Sequence, residues 1–193
     1  MPQEAPHVIS KNILIALGGN VPSKAGDALQ TLRAALVAVR EKFGDISASK
    51  FYQTPGFPAG SGPDFVNAAC LLTSSLAPYD ILQILHVIEA DFGRERVLRW
   101  GQRTLDLDLI AVNDTILPDT ESHSHWRTLP MDVQLTRSPD TLILPHPRVQ
   151  DRAFVLVPMM DIAPEWHHPV LGLSVAEMLA ALPAADRAEI KAL

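Results

Sequence analysis

The segment Thr104–Ile110, TLDLDLI, constrains the fold more than any other part of the chain. Leu105, Leu107 and Leu109 alternate with Asp106 and Asp108, the period-two pattern of a strand with one buried and one polar face. The leucines are expected to enter a core and the two carboxylates to leave by the opposite face. At about 3.3 Å of rise per residue their Cα atoms stand roughly 6.5–7 Å apart. Two like charges that close are unfavourable unless water or a cation lies between them. The segment therefore calls for a sheet with a core beneath it and something polar or cationic above it.

The preceding elements supply that sheet. NILIAL, residues 12–17, reads as a short apolar strand running into the turn Gly18-Gly19-Asn20. From Lys24 to about Phe43, Leu29, Leu32, Leu36, Val39 and Phe43 recur at helical spacing, and Gly44 ends the helix. ISASKFYQT, 46–54, reads as a second strand, and TPGFPAGSGPD as a Gly/Pro-rich loop. FVNAACLLTSS is a third strand, apolar on both faces. Pro78 suits the first turn of a second helix with the stripe Ile81, Leu85, Ile88 and Phe92, stopped by Gly93. The order strand, helix, strand, strand, helix, strand predicts an α+β fold with a ferredoxin-like βαββαβ core, its helices packed on one side of an antiparallel sheet. Residues 113–141 have no sustained period and read as a long insertion after the fourth core strand. SHSHW within it suits a solvated loop better than a metal site. A final helix near Ser174 to Leu182 reads as peripheral packing.

The chain has 193 residues, 47% of them hydrophobic, and is expected to form a single domain over 1–193 with a loose lead-in over 1–11. A net charge of −6 with 6% aromatics argues against a nucleic-acid surface. No apolar stretch is long enough to span a bilayer. The one cysteine, Cys70, sits in an apolar run and reads as a small buried hydrophobe. A cytoplasmic protein is expected, with no membrane partner.

Four arginines, Arg94, Arg96, Arg99 and Arg103, lie just N-terminal to the aspartates. Carboxylates suit a hard cation such as Mg²⁺, and guanidinium groups match phosphate oxygens. Together they suggest a magnesium–polyphosphate site; the plainer alternative is a set of surface salt bridges. No GxxxxGK[ST] loop is present, so such a site is built from side chains and metal rather than a glycine-rich cradle.

FYQTPGF, PDFVNAA, IEADFGRERVLRWGQRTLDLDLI and LPHPRVQDRAF, in that order, closely resemble the pterin pyrophosphokinase family of folate biosynthesis. The resemblance runs from about Ile13 to Trp166, interrupted by 113–141. It implies transfer of the terminal two phosphates of ATP to the hydroxymethyl oxygen of a reduced pterin, with AMP leaving. It also implies two Mg²⁺ ions held by Asp106 and Asp108. Arg94 and Arg103 match catalytic arginines on a loop that closes over ATP, and Trp100 matches that loop's tryptophan. Glu89, Leu109, His146 and Arg152 match the nucleotide side of the site. Asn67 matches the asparagine on the pterin edge, Phe65 and Phe154 the aromatics that sandwich the ring, and Thr54, Pro55 and Phe57 the loop beside it. A flat heteroaromatic ring suits aromatic faces, and its amide-like edge suits a side chain that both donates and accepts. The resemblance leaves room for contact with other folate-pathway enzymes, with the chain working either alone or beside them.

The sequence departs from the family in places. The first turn is GGN where GSN is frequent, which is expected to cost one side-chain hydrogen bond near the substrate. Thr141 and Ile143 stand where some relatives carry polar adenine contacts. No protein general base is evident; Asp108 or a water is left to accept the hydroxyl proton. The competing reading is a non-catalytic ferredoxin-like pterin-binding or interaction module. It predicts the loss of a metal or phosphate ligand, and none is lost here.

Overall fold

The computed structural model describes residues 10–56, 62–94, 103–130, 133 and 136–193. Their order is β1 (Lys11–Gly19), α1 (Ala28–Phe43), β2 (Ile46–Ala48), β3 (Tyr52–Thr54), β4 (Phe65–Ser74), α2 (Pro78–Asp91) and β5 (Asp106–Val112), then α3 (Thr120–Thr128), α4 (Ala153–Ile162), α5 (Val175–Ala181), α6 (Ala184–Ala188) and β6 (Lys191–Ala192). The strands pair antiparallel in the order β5-β1-β4-β3-β6, with β2 also on β4. The expected βαββαβ order is therefore present.

Local chemistry sets the element ends. Helix α1 starts at Ala28 rather than near Lys24 because Asp27 and Gln30 cap it reciprocally: each side chain accepts the other's backbone N–H, at 2.8 and 2.9 Å. Pro78 opens α2, and Gly93 follows it with φ +79°. The second strand is broken into β2 and β3 between Ala48 and Tyr52. At the break the Ser49 hydroxyl oxygen, not a strand carbonyl, accepts the Ala69 N–H at 2.9 Å.

Helices cover both faces of the sheet, not one. On the first face Ile13, Ile15 and Leu17 of β1 pack with Leu105, Leu107 and Leu109 against Leu32 and Val39 of α1 and Ile81, Leu85 and Ile88 of α2. On the second face Leu14, Ala16, Ala69 and Ile110 meet Val155, Leu156 and Met159 of α4 and Val175 and Met178 of α5. The helix Val175–Ala181 is thus core rather than peripheral packing, because Val175 and Met178 are fully buried in this second cluster. Cys70 is fully buried, and burial pushes its thiol up to about 12. Among the described residues no helix is long and apolar enough to cross a membrane.

The segment expected to lack structure contains α3, capped by Asp119, whose side chain accepts the Ser122 N–H at 2.8 Å. Leu117 and Leu144 exchange backbone hydrogen bonds of 2.9 and 3.2 Å at its base. His123 of SHSHW is fully buried, so this motif is not a solvated loop.

Candidate active site

Strand register builds the site. Gly18 stands opposite Asn67 on one side and Asp106 on the other, and Asn67 stands opposite Tyr52. Directly paired residues in an antiparallel sheet share a face, so Tyr52, Asn67, Gly18 and Asp106 form one row across four strands. Asp108 and Phe65 share that face from two residues along their own strands. Along β5 this is the face that α4 covers further on, through Ile110; at Asp106 and Asp108 it is only half-buried. Gly18 leaves the middle of the row flat: a Cβ there would meet Asn67 Oδ1 at 3.2 Å.

Charges gather at the β5 end. Arg94 Nη2 pairs with Asp106 Oδ1 at 2.6 Å, and Arg103 Nη1 pairs with Asp106 Oδ2. Arg94 also pairs with Glu89, a buried carboxylate that accepts the Leu107 N–H at 2.7 Å. Arg152, which precedes the first residue of α4, reaches Asp108 Oδ2 at 3.4 Å. Burial, then the Asp108 charge, push the Asp106 carboxyl above the usual carboxylate range, against the pull of Arg103 and Arg94. Two carboxylates on one face have thus drawn three guanidinium groups around them.

Beside this cluster lies a cavity of about 1120 Å³. Glu89, Arg94, Arg103, Asp108, Leu109 and His146 all line it, so six residues expected on the nucleotide or catalytic side come together. His146 donates its backbone N–H to Ile110 O at 2.8 Å, and its Nδ1 accepts from Arg148 N at 3.1 Å. Burial, reinforced by Arg152, holds the ring well below the usual histidine range. The neutral ring then carries its proton on Nε2 as a hydrogen-bond donor. Thr141 and Ile143 line the same cavity.

On the expected pterin side, Asn67 and Thr54 are buried and the Asn67 amide donates to Thr54 Oγ1 at 2.9 Å. Phe154 is 40% exposed, with the Arg152 guanidinium 5.7 Å from its ring centroid. Pro55 is exposed and Phe65 half-buried. Phe57 and Trp100, with Arg96 and Arg99, lie outside the described residues.

Sequence reasoning missed Asn20. Its Oδ1 accepts the Arg103 N–H at 2.9 Å, its own N–H donates to Arg103 O at 3.0 Å, and its Nδ2 donates to Pro63 O at 3.2 Å. One turn thereby ties the arginine segment to the loop before β4. The Asn after two glycines at a strand end was the available signal. Also missed were Tyr79, Gln83 and His86, which line the cavity from α2 at the helical spacing of one face.

The donor set fits Mg²⁺. Among the described residues no group of three His, Cys, Asp or Glu side chains is placed to hold a metal, so protein side chains alone do not complete a shell there. Two hard-oxygen carboxylates are what Mg²⁺ uses when phosphate and water complete its shell, and guanidinium groups like those beside them match phosphate oxygens.

Residues 14–164 match the model of the family described as 7,8-dihydro-6-hydroxymethylpterin-pyrophosphokinase (HPPK). A 2-amino-4-hydroxy-6-hydroxymethyldihydropteridine pyrophosphokinase of Synechocystis sp. is 34% identical over 86% of this chain and 73% of its own length. One of Pseudomonas aeruginosa is 34% identical over 90% of this chain and 93% of its own. A crystal structure of Plasmodium falciparum HPPK-DHPS shares the fold, with a TM-score of 0.63 at 15% identity over 91% of this chain; the chain spans 45% of that longer protein. By these matches the chain belongs to the 7,8-dihydro-6-hydroxymethylpterin-pyrophosphokinase family.

Proposed function

We propose that this chain transfers the terminal diphosphate of ATP to the hydroxymethyl oxygen of 6-hydroxymethyl-7,8-dihydropterin, releasing AMP, in folate biosynthesis. The observation that best supports this reading is the single sheet row that sets Asn67 and Asp106 on either side of Gly18. An asparagine suited to a pterin edge and a carboxylate suited to Mg²⁺ thus lie two strands apart with no side chain between them.

In this reading the pterin hydroxyl oxygen bonds to the β-phosphorus as the bond from that phosphorus to the α–β bridging oxygen breaks; the hydroxyl proton passes to Asp108 or a water, and AMP carries the bridging oxygen away. Asp106 and Asp108 would hold two Mg²⁺ ions, which would supply positive charge at the phosphate oxygens. Arg94 and Arg103, which pair with Asp106 here, would serve the transferred group, where guanidinium matches phosphate oxygens. His146 donates from Nε2 and Arg152 neutralises charge beside it. Asn67 and Thr54 orient the pterin edge, with Pro55 and Phe57 beside it, and Phe65 and Phe154 cover the ring faces. Glu89 holds Arg94, and Leu109 and Trp100 serve the nucleotide. The substrates are small molecules, neither nucleic acid nor membrane. A cytoplasmic location and contact with other folate-pathway enzymes belong to the same reading, the latter supported by the joined HPPK-DHPS chains.

AMP release from Mg-ATP, measured with and without 6-hydroxymethyl-7,8-dihydropterin, tests the reaction; release is expected only with the pterin. Asp106→Ala and Asp108→Ala are each expected to lower kcat by on the order of a hundredfold or more. A near-normal rate in either variant would remove the metal assignment. Arg103→Ala is expected to lower kcat rather than raise KM, since its contact strengthens as charge redistributes.

A further inference from the structure

The inserted segment carries a buried histidine that neither the core nor the reaction uses. His123 lies on α3 and is fully buried, whereas its neighbour His125 is exposed. Its Nε2 lies 3.0 Å from the Pro145 carbonyl oxygen. A carbonyl only accepts, so the ring donates from Nε2. Pro145 immediately precedes His146, whose own N–H is held by Ile110 of β5 at 2.8 Å. The turn that presents His146 to the cavity is thus held from two sides, by the sheet and by the insertion.

Two further observations place the insertion at this cavity. Its returning limb contributes Ser138, Asp140 and Thr141 to the same cavity wall as His146. Its base is closed by the paired backbone bonds of Leu117 and Leu144, next to Pro145. A metal site shared by the two buried histidines, His123 and His168, is disfavoured by the His168 tautomer. His168 packs edge-on to His123, with ring centroids 5.4 Å apart. The His168 Nδ1 accepts from Val170 N and Leu171 N at 3.2 and 3.3 Å, so its proton sits on Nε2 and leaves no lone pair there. Arg127 adds a repelling positive charge to both rings.

We propose that His123 is a positioning residue for the His146 turn, and that the insertion is thereby a built part of the nucleotide cavity. The proposal rests on the reading above only in taking ATP as the ligand. The His123 bond fixes the peptide plane before His146 and so the direction from which its Nε2 approaches the cavity.

Calorimetric titration with Mg-ATP and steady-state KM values for each substrate test this in three variants. His123→Leu removes the donor. His123→Asn carries an amide too short to reach Pro145, and His123→Gln carries one at the reach of Nε2. The Leu and Asn variants are expected to bind Mg-ATP about tenfold more weakly, equivalent to one lost hydrogen bond, with a matching rise in KM for ATP. KM for the pterin stays unchanged, and Gln restores wild-type affinity. A merely structural role would lower the thermal midpoint of all three and leave the ATP affinity of the folded fraction unmoved; that result overturns the proposal. So does a Gln variant no better than Asn. If the Leu variant fails to fold, the Gln–Asn comparison decides alone, taken below the lower of their midpoints. Wild-type chain that binds ATP but releases no AMP sinks the transferase reading, while the order of variant affinities still decides the role of His123. Failure of the wild type to bind ATP overturns both.

Discussion

A single missing methylene controls the close approach of two segments at the turn after β1. A Cβ on Gly19 would stand 2.6 Å from the backbone oxygen of Thr104 and 3.3 Å from Leu32. The glycine lets the Arg103–Asp106 segment lie directly against the turn. The GGN sequence is therefore not just a hydrogen bond forgone relative to GSN; in this chain a serine has no room without backbone movement. Gly19→Ser is expected to cost roughly 1–3 kcal/mol, as overpacking does, and to lower kcat, because the shift falls on Arg103 and Asp106. Urea unfolding and AMP release both matching wild type would show that the approach is immaterial. At this scale the charged residues were legible and the hub was not. Asp106 and Asp108 announce themselves by alternation and by charge. Asn20 makes its bonds to Pro63 and Arg103, 43 and 83 residues away, and no local pattern encodes partners that distant.

Among the elements, those with clean periodicity were read correctly and those with mixed signals were not. Helices α1 and α2 each show one apolar stripe and a stop signal. Helix α4 is apolar nearly all round and contains Pro158, so neither a stripe nor an interior free of proline marked it. Helix α3 is short and polar and is recognisable only through its Asp119 cap. Helix α3 meets the rest through the His123–Pro145 bond and through the packing of His123 on His168, and the second of these contacts is sensitive to pH. Burial, then the charges of His123 and Arg127, lower His168 to about 4, against about 6.5 in an unfolded chain. Between those values the unfolded chain takes up a proton that the folded chain refuses. Stability is therefore constant above about pH 6.5 and falls as pH drops toward 4, by about 2 kcal/mol between pH 7 and pH 5 from this residue. Denaturant titrations at the two pH values should show that loss, and His168→Asn should remove it. An undiminished pH slope in the variant would mean that other groups carry the effect.

In the whole molecule, one sheet separates two cores. The first face was legible from the stripes of α1 and α2 and the leucines of β5. The second was hinted at only by the two-sided apolar character of β4, because Leu14, Ala16 and Ile110 find their partners in a C-terminal layer with no clear period. Leu156→Ala, at a fully buried site in that layer, is expected to cost about 2–5 kcal/mol, measured by denaturant unfolding. The same layer begins at Arg152, whose carbonyl accepts the N–H groups of Val155 and Leu156 at 3.0 Å each while its guanidinium reaches Asp108. Packing and chemistry are therefore joined at one residue. Loosening α4 by a fraction of a turn is expected to draw the Arg152 guanidinium away from Asp108 before the strands part. A gently warmed sample should stop producing AMP while its circular dichroism still reports an intact molecule, and the Leu156→Ala variant should widen that gap. Coincident midpoints for the two signals would mean that the helix and the catalytic end let go together.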